Sequence, residues 1–409
     1  MLDPLFIPNP YFRLKMVPNV AQTLTISDVF PLPKHDDKAI EAFTEEFRKL
    51  IGAKHAFATS SGRAALYVIL RALGIGKNNE VIIPTFACRA VADAVLQTGA
   101  KPILVDVSPQ TGLIDCRSVE ASISASTRAI VPIHYQGLPS EMGELKDLAD
   151  SSSLFLIEDC AHALLAKYYG STVGTIGDMA FFSFGPDKPF TTGLGGMIIA
   201  SSQEASTALA RAKNAVGDAP TPENGKVIRT LVETLTLHRK EFYGIATLTH
   251  APLMTLVSVI VNPSYQFRVA KITGLAAHLG LVQLRRIRRI IAARITNARA
   301  LHRALEGSRY IRCPQYDDHL EPVFLRYTVL TRDSEQRRVL VARLKRKGIS
   351  AGPLNWLTPL HRSEYYSRFC KSYRPLQGAE EFASRFVNLP CHEMLSAPDI
   401  VTIGKCLKS

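Results

Sequence analysis

The chain has 409 residues, more than one compact core usually holds, so two domains are predicted. Its composition, 46% apolar and 21% charged with 25 glycines, excludes a disordered, collagen-like or disulfide-scaffold protein. Seven cysteines without a C-x-x-C pair exclude a zinc ribbon or dithiol redox motif, fit a reducing cytoplasmic setting, and leave no metal site predicted. The net charge of +13 comes mostly from two helical-looking stretches, Arg285 to Arg303 and Arg337 to Lys347. Such faces are commonly solvated surface, and no nucleic-acid partner is predicted.

In chain order, residues 1–35 read as an N-terminal arm without the basic-then-apolar pattern of a secretory signal. Helical spacing from Ile40 to Ile51 leads through the short apolar stretch HAFA into Ser60-Ser61-Gly62, and RAALYVILRAL (63–73) is helix-forming. Then follow VIIP (81–84), a helix from Cys88 to Thr98, PILVDV (102–107), a helix near Ser118 to Ile123, AIVPIHY (129–135), a helix at Gly143 to Ala149, and LFLIED (154–159). MAFFSF (179–184) and GGMIIAS (195–201) close the series. Short, nearly continuous apolar runs alternating with helices signal a mostly parallel sheet buried on both faces, an α/β domain over 36–270. Functional residues of such a sheet belong at the carboxyl ends of its strands.

Within that domain, 215–265 stands apart as an apolar insertion around the polar loop GDAPTPENGK (217–226). Its segment 244–261 is about as long as a short membrane span but carries His250, Pro252 and several Thr and Ser. It reads as a packed helix or subunit contact, with membrane-surface contact as the second reading. A long helical pattern from Ile272 to Leu305 opens residues 271–409, which otherwise read as a smaller α+β domain.

Three strand ends carry candidate chemistry. Ser61-Gly62-Arg63 opens a helix, where free backbone N–H groups and a partial positive charge suit a phosphate; alone, the turn reads more readily as a plain helix cap. Asp159 emerges from a buried strand with His162 three residues on, and a buried carboxylate needs a positive or proton-donating partner such as a pyridinium nitrogen. Glu158 beside it points to the opposite face. Ser183 and Lys188 flank a Gly/Pro-rich turn that can hold a partly desolvated, nucleophilic amine. Phosphate anchor, carboxylate, hydroxyl and amine at successive strand ends are what pyridoxal 5′-phosphate (PLP) requires.

The spans SSGRAAL, EVIIPTFACRAVADAVLQTGAKPILVDV, AIVPIHYQGLPSEM, LFLIEDCAHA and GDMAFFSFGPDKPFTTGLGGM, with TPLHRSEYY (358–366) and AEEFASRFVNLPCHEMLS (379–396), resemble the DegT/DnrJ/EryC1/StrS sugar aminotransferases, which are fold-type-I PLP enzymes. The resemblance implies Lys188 as the Schiff-base lysine, Asp159 as partner of the pyridinium nitrogen and His162 near the cofactor hydroxyl. It places the phosphate on Ser183 and the Ser61-Gly62-Arg63 turn, and substrate near His361 and His392. It further implies glutamate as amino donor, a nucleotide-linked keto-sugar as acceptor, and a homodimer. Arg63 stands where the family commonly has Thr, Cys88 where it often has a stacking aromatic, and Leu194 where it has an acid. Val269 and Lys271 occupy the place of its Asn-x-Arg element. Another PLP reaction on this fold, dehydration or acyl transfer, and a non-catalytic binding or regulatory role are the alternatives. Retention of Lys188 opposes the dehydratase reading, since the family's dehydratases replace that lysine.

Overall fold

The computed structural model describes residues 16–18, 37–213, 221–236, 265–351 and 358–408. Most of the N-terminal arm and the whole of 244–261 lie outside these residues. Among the described residues no helix is long and apolar enough to cross a membrane.

The first half alternates as α1 (Asp37–Ile51), β1 (His55–Thr59), α2 (Gly62–Ala72), β2 (Glu80–Pro84), α3 (Arg89–Gln97), β3 (Lys101–Val105), α4 (Cys116–Glu120), β4 (Thr127–Ile130), α5 (Met142–Ser151) and β5 (Phe155–Asp159). A two-residue hairpin, β6 (Lys167–Tyr168) and β7 (Ser171–Thr172), precedes β8 (Met179–Ser183) and β9 (Gly196–Ala200). The seven long strands form one sheet in the order β1-β9-β8-β5-β4-β2-β3. The pairs β2–β3, β2–β4, β4–β5 and β5–β8 are parallel, whereas β9 runs antiparallel to both β8 and β1. No helix separates β8 from β9, and a parallel return needs a crossover, so β9 can only turn back. β4 is shorter than the apolar run 129–135 suggests. Pro132 lacks an N–H, and its carbonyl instead accepts from the Asp159 amide at 2.9 Å.

The helices α6 (Gln203–Lys213) and α7 (Thr221–Thr236) follow, then α8 (Gly274–Leu284) and α9 (Ile287–Leu305). The helix expected from Ile272 to Leu305 is therefore two, broken at Arg285–Arg286. Leu275, Ala276 and Leu279 of α8 pack in the large-domain core with α1, where a Cβ on Gly280 would come within 2.4 Å of the Phe43 ring. Much of the Arg285–Arg303 charge is exposed, but Arg294 turns inward and pairs with Glu393 at 3.2 Å.

The C-terminal domain contains β10 (Ile311–Arg312), β11 (Leu320–Glu321), β12 (Tyr327–Thr331), α10 (Ser334–Arg346), α11 (Gln377–Arg385), β13 (Phe386–Leu389) and α12 (Ala397–Lys408). Its sheet is β10-β12-β13, while β11 leaves it to pair with β6 of the large domain.

One aromatic cluster bears directly on the site. Phe43 and Phe47 of α1 pack against Phe182, Phe184 and Phe190, with Phe47 ring centroids 5.1 Å from Phe182 and 5.3 Å from Phe184. These rings flank Ser183 and Lys188 in the chain, so the packing of α1 holds the loop that carries both. Phe47→Ala should cost about 3–5 kcal/mol through the buried cavity it leaves. A lowered urea midpoint by circular dichroism is the measurement, and an unchanged midpoint would show that the cluster does not carry the loop.

Candidate active site

The carboxyl ends of the strands open onto a cleft. Its walls include Gly62, Arg63, Cys88, Asp159, His162, Ser183 and Lys188, which sequence reasoning singled out, and Phe86, Ile133 and Tyr135, which it did not. Ser61 stands just behind this wall. The site thus collects residues that are up to 126 positions apart in the chain, from Gly62 to Lys188.

At the amino end of α2, Ser61 is the N-cap, its Oγ accepting from the Ala64 amide at 3.1 Å. The turn approaches β8 and β9 so closely that only glycine fits. A Cβ on Gly62 would lie 2.8 Å from Ser183 Cβ, and one on Gly196 would lie 2.5 Å from the Ser61 carbonyl carbon. The start of α2 and the Ser183 hydroxyl therefore meet at one spot, a cradle of the kind that takes a phosphate. Arg63 contributes less than expected. Its guanidinium pairs with buried Asp93 at 3.1 Å and lies 5.1 Å from the centre of the Phe267 ring, so its charge is committed beside the cradle.

Asp159 ends β5 fully inside the protein, with Oδ1 accepting from the Ala161 amide at 2.9 Å. Burial pushes its carboxyl up to about 6, and the Ala161 N–H, Lys188 and His134 only partly offset this. A buried acid in this state suits a cationic, N–H-bearing ligand. Glu158 faces the other way, as alternation requires. It accepts from His134 Nε2 at 3.1 Å and from the amides of Gly174, Ile176 and Gly177, each at 2.8 Å, a structural role.

His162 accepts the Gln136 amide on Nδ1 at 3.3 Å, which leaves its proton on Nε2. Burial, reinforced by the nearby Lys188 charge, holds its imidazole well below the ordinary range, so it is neutral. Gln136 itself sits at φ 53°, a left-handed strain in the turn after β4 that brings this amide to the ring.

Lys188 follows the turn Gly185-Pro186-Asp187, its amide donating to the Gly185 carbonyl at 3.1 Å. The loop beyond it is clamped from within. Thr191 Oγ1 donates to the Phe184 carbonyl at 3.0 Å, Thr192 Oγ1 to the Leu194 carbonyl at 2.6 Å, and Gln283 of α8 bonds the Thr191 backbone. Cys88 caps the start of α3 on the cleft wall, and burial pushes its thiol up, which disfavours the reactive thiolate. Phe86 and Tyr135 meet edge to face at 5.3 Å beside it. Phe86, two residues before Cys88, and Tyr135, the last residue of the apolar run 129–135, could both have been suspected from their places at strand ends.

The two tail histidines do not line the cleft. His361 Nδ1 lies 2.7 Å from Thr85 Oγ1 and its Nε2 lies 2.5 Å from Glu380, in a separate open hollow with Arg374 and Gln377. His392 is buried in the C-terminal domain, Nε2 donating to the Pro18 carbonyl at 3.0 Å. The Val269–Lys271 stretch runs beside the cradle in the same chain, where Lys271 bridges Thr59 and the Ala270 carbonyl accepts from the Ser60 amide at 2.8 Å.

The model of the DegT/DnrJ/EryC1/StrS aminotransferase family matches residues 34–408. The chain belongs to that family. The aminotransferases of this family are PLP-dependent. Among relatives, the aminotransferase is 30% identical over 367 residues to the GDP-perosamine synthase of Escherichia coli O157:H7, covering 89% of this chain and 88% of that one. It is 42% identical over 168 residues, 41% of its length and 45% of the relative's, to a UDP-N-acetyl-3-dehydro-alpha-D-glucosamine 3-aminotransferase of Acidithiobacillus ferrooxidans. Among solved structures, DesV of S. venezuelae in complex with a ketimine intermediate superposes with a TM-score of 0.72 at 26% identity, covering 94% of this chain and 92% of that one. The PLP form of the putative sugar aminotransferase Spr1654 from Streptococcus pneumoniae shares the fold, with a TM-score of 0.76 at 21% identity over 96% and 98% of the two chains.

Because the Asp159 carboxyl is raised from about 4 to about 6, the cofactor-free aminotransferase binds this proton more tightly folded than unfolded. Its contribution is fully present below pH ~4 and is lost as pH rises through ~6, a change of roughly 3 kcal/mol. Asp159→Asn should remove that loss, so the two proteins should converge in stability near pH 4 and differ above pH 6 in urea titrations. Parallel curves would overturn the assignment of Asp159 as a poorly compensated buried acid.

Proposed function

We propose that the protein binds PLP between Asp159 and Lys188 and moves an amino group from glutamate to a nucleotide-linked keto-sugar, as a homodimer. The observation that carries this reading is the convergence of a buried carboxylate, a lysine amine and a glycine-shaped phosphate cradle on one cleft. The fit is chemical. Asp159 suits a protonated ring nitrogen, and Ser183 with the backbone N–H groups opening α2 suits the phosphate. The neutral His162, with its Nε2–H, suits the hydroxyl oxygen carried on the ring. When bound, PLP supplies an electron sink for the carbon next to the transferred nitrogen and a temporary place for the amino group.

The residues divide the remaining work. Asp159 keeps a proton on the ring nitrogen by being its counter-charge. Lys188 would hold the cofactor through its aldehyde carbon and, when its amine is free, carries a proton to and from the reacting carbon on Nζ. Phe86, Ile133 and Tyr135 line the wall with apolar surface, which limits water around that proton. The substrate class is supported by the GDP- and UDP-sugar enzymes among the relatives, and the net charge of +13 favours a diphosphate-bearing ligand.

The purified protein should show an absorbance band near the visible edge that borohydride removes. With glutamate and GDP- or UDP-linked keto-sugars, it should yield 2-oxoglutarate and an amino sugar. Lys188→Ala should abolish the band and lower turnover at least roughly 10³-fold. A band and full turnover in that variant would sink the reading. Gly62→Ala, which pushes on Ser183, should weaken PLP about tenfold while leaving phosphate-free pyridoxal nearly unaffected. Equal losses for both ligands would place the phosphate elsewhere.

A further inference from the structure

Lys188 has a charged neighbour that the assignments above leave unused. Asp187 precedes it in the turn Gly185-Pro186-Asp187-Lys188, and the two side chains meet, with Nζ 3.1 Å from Asp187 Oδ2. Consecutive residues rarely share a direction, so the contact needs a cause. The turn supplies one: it is closed by the Lys188 amide on the Gly185 carbonyl and has Pro186 at its second position, whose ring fixes one of the two central residues. Thr191, Thr192 and Gln283 then hold the chain beyond it.

The surroundings keep Asp187 anionic. Burial alone would raise its carboxyl, but the charges of Lys188 and Arg326 outweigh that and hold it at about 2. Arg326 is an almost fully buried guanidinium at the head of β12, so the C-terminal domain contributes to this field. On the other side, Cys88 and Asp159 both feel the charge on Lys188. Asp159 is thus the acid available for a ring nitrogen, and Asp187 the acid nearest the amine.

We propose that Asp187 is a positioning residue for Lys188, holding its amine as a hydrogen-bonded ammonium in the cleft whenever that nitrogen is not bonded to the cofactor. The inference rests on the cofactor reading above. It assigns the two acids separate tasks: one faces the ring, the other retains the lysine between the two halves of the reaction. An ammonium cannot attack an aldehyde, so loss of the Asp187 carboxylate should favour the free amine.

The test uses the full-length protein freed of cofactor and phosphate-free pyridoxal, so that repulsion between Asp187 and a phosphate plays no part. The free amine adds to the aldehyde, water leaves, and the resulting absorbance is followed against pH. Asp187→Asn should lower the midpoint of this reaction by about one pH unit, making it about tenfold faster below both midpoints. Asp187→Glu should restore most of the wild-type midpoint, which loss of a merely structural contact would not do. Asp187→Ser provides a second neutral side chain that the turn accepts should the Asn variant fail to fold. Identical midpoints in wild type and the neutral variants would overturn the proposal for Asp187. Absence of any Schiff-base absorbance in the wild type, with pyridoxal or PLP, would instead overturn the cofactor reading on which it rests.

Discussion

A carboxylate that ends a buried strand has few stable options, and the cleft is organised around the one at Asp159. Away from water, its ionised form must find a positive partner or take up a proton. A single backbone N–H and more distant charges do not suffice, so the free protein holds Asp159 partly as an acid. A cationic ring nitrogen completes the pair. That requirement explains why the neighbouring Glu158, identical in charge class and equally buried, is not part of the chemistry: three backbone amides and His134 already satisfy it.

The second constraint is mechanical. Lys188 must be long and reactive yet not wander, and its loop achieves this by packing on both sides. Phe182 and Phe184 bracket Ser183 within the aromatic cluster under α1, and Phe190 anchors the chain two residues past Lys188. Threonine hydroxyls and Gln283 satisfy the loop's backbone, which would otherwise face the cost of burying unpaired polar groups. Glycine appears where backbones nearly touch, at Gly62 and Gly196, so the phosphate cradle and the catalytic loop share one contact.

Charge in the cleft is divided rather than uniform. Lys188, Arg326 and the neutral His162 stand around Asp187, while Arg63 is drawn off to Asp93 and Phe267. The site therefore offers a phosphate mainly dipoles and hydroxyls, and reserves formal positive charge for the amine. Binding a dianion through backbone N–H groups at a helix start needs no additional arginine.

Much was legible in the order of residues. Apolar runs of four to six residues marked the strands, and Asp159, Ser183 and Lys188 stood at or just beyond their carboxyl ends, where a parallel sheet exposes its chemistry. What escaped depended on contacts between distant segments. The antiparallel direction of β9 and the break between α8 and α9 leave no periodic trace. The commitment of Arg63 to Asp93 and the withdrawal of His361 and His392 from the cleft are likewise decided by partners up to 374 positions away. Chain order by itself determined which groups lie at strand ends, because alternation and burial are local rules. Only the tertiary structure decided which of those groups face one another, because a side chain's charge and direction follow from the partner that packing brings to it.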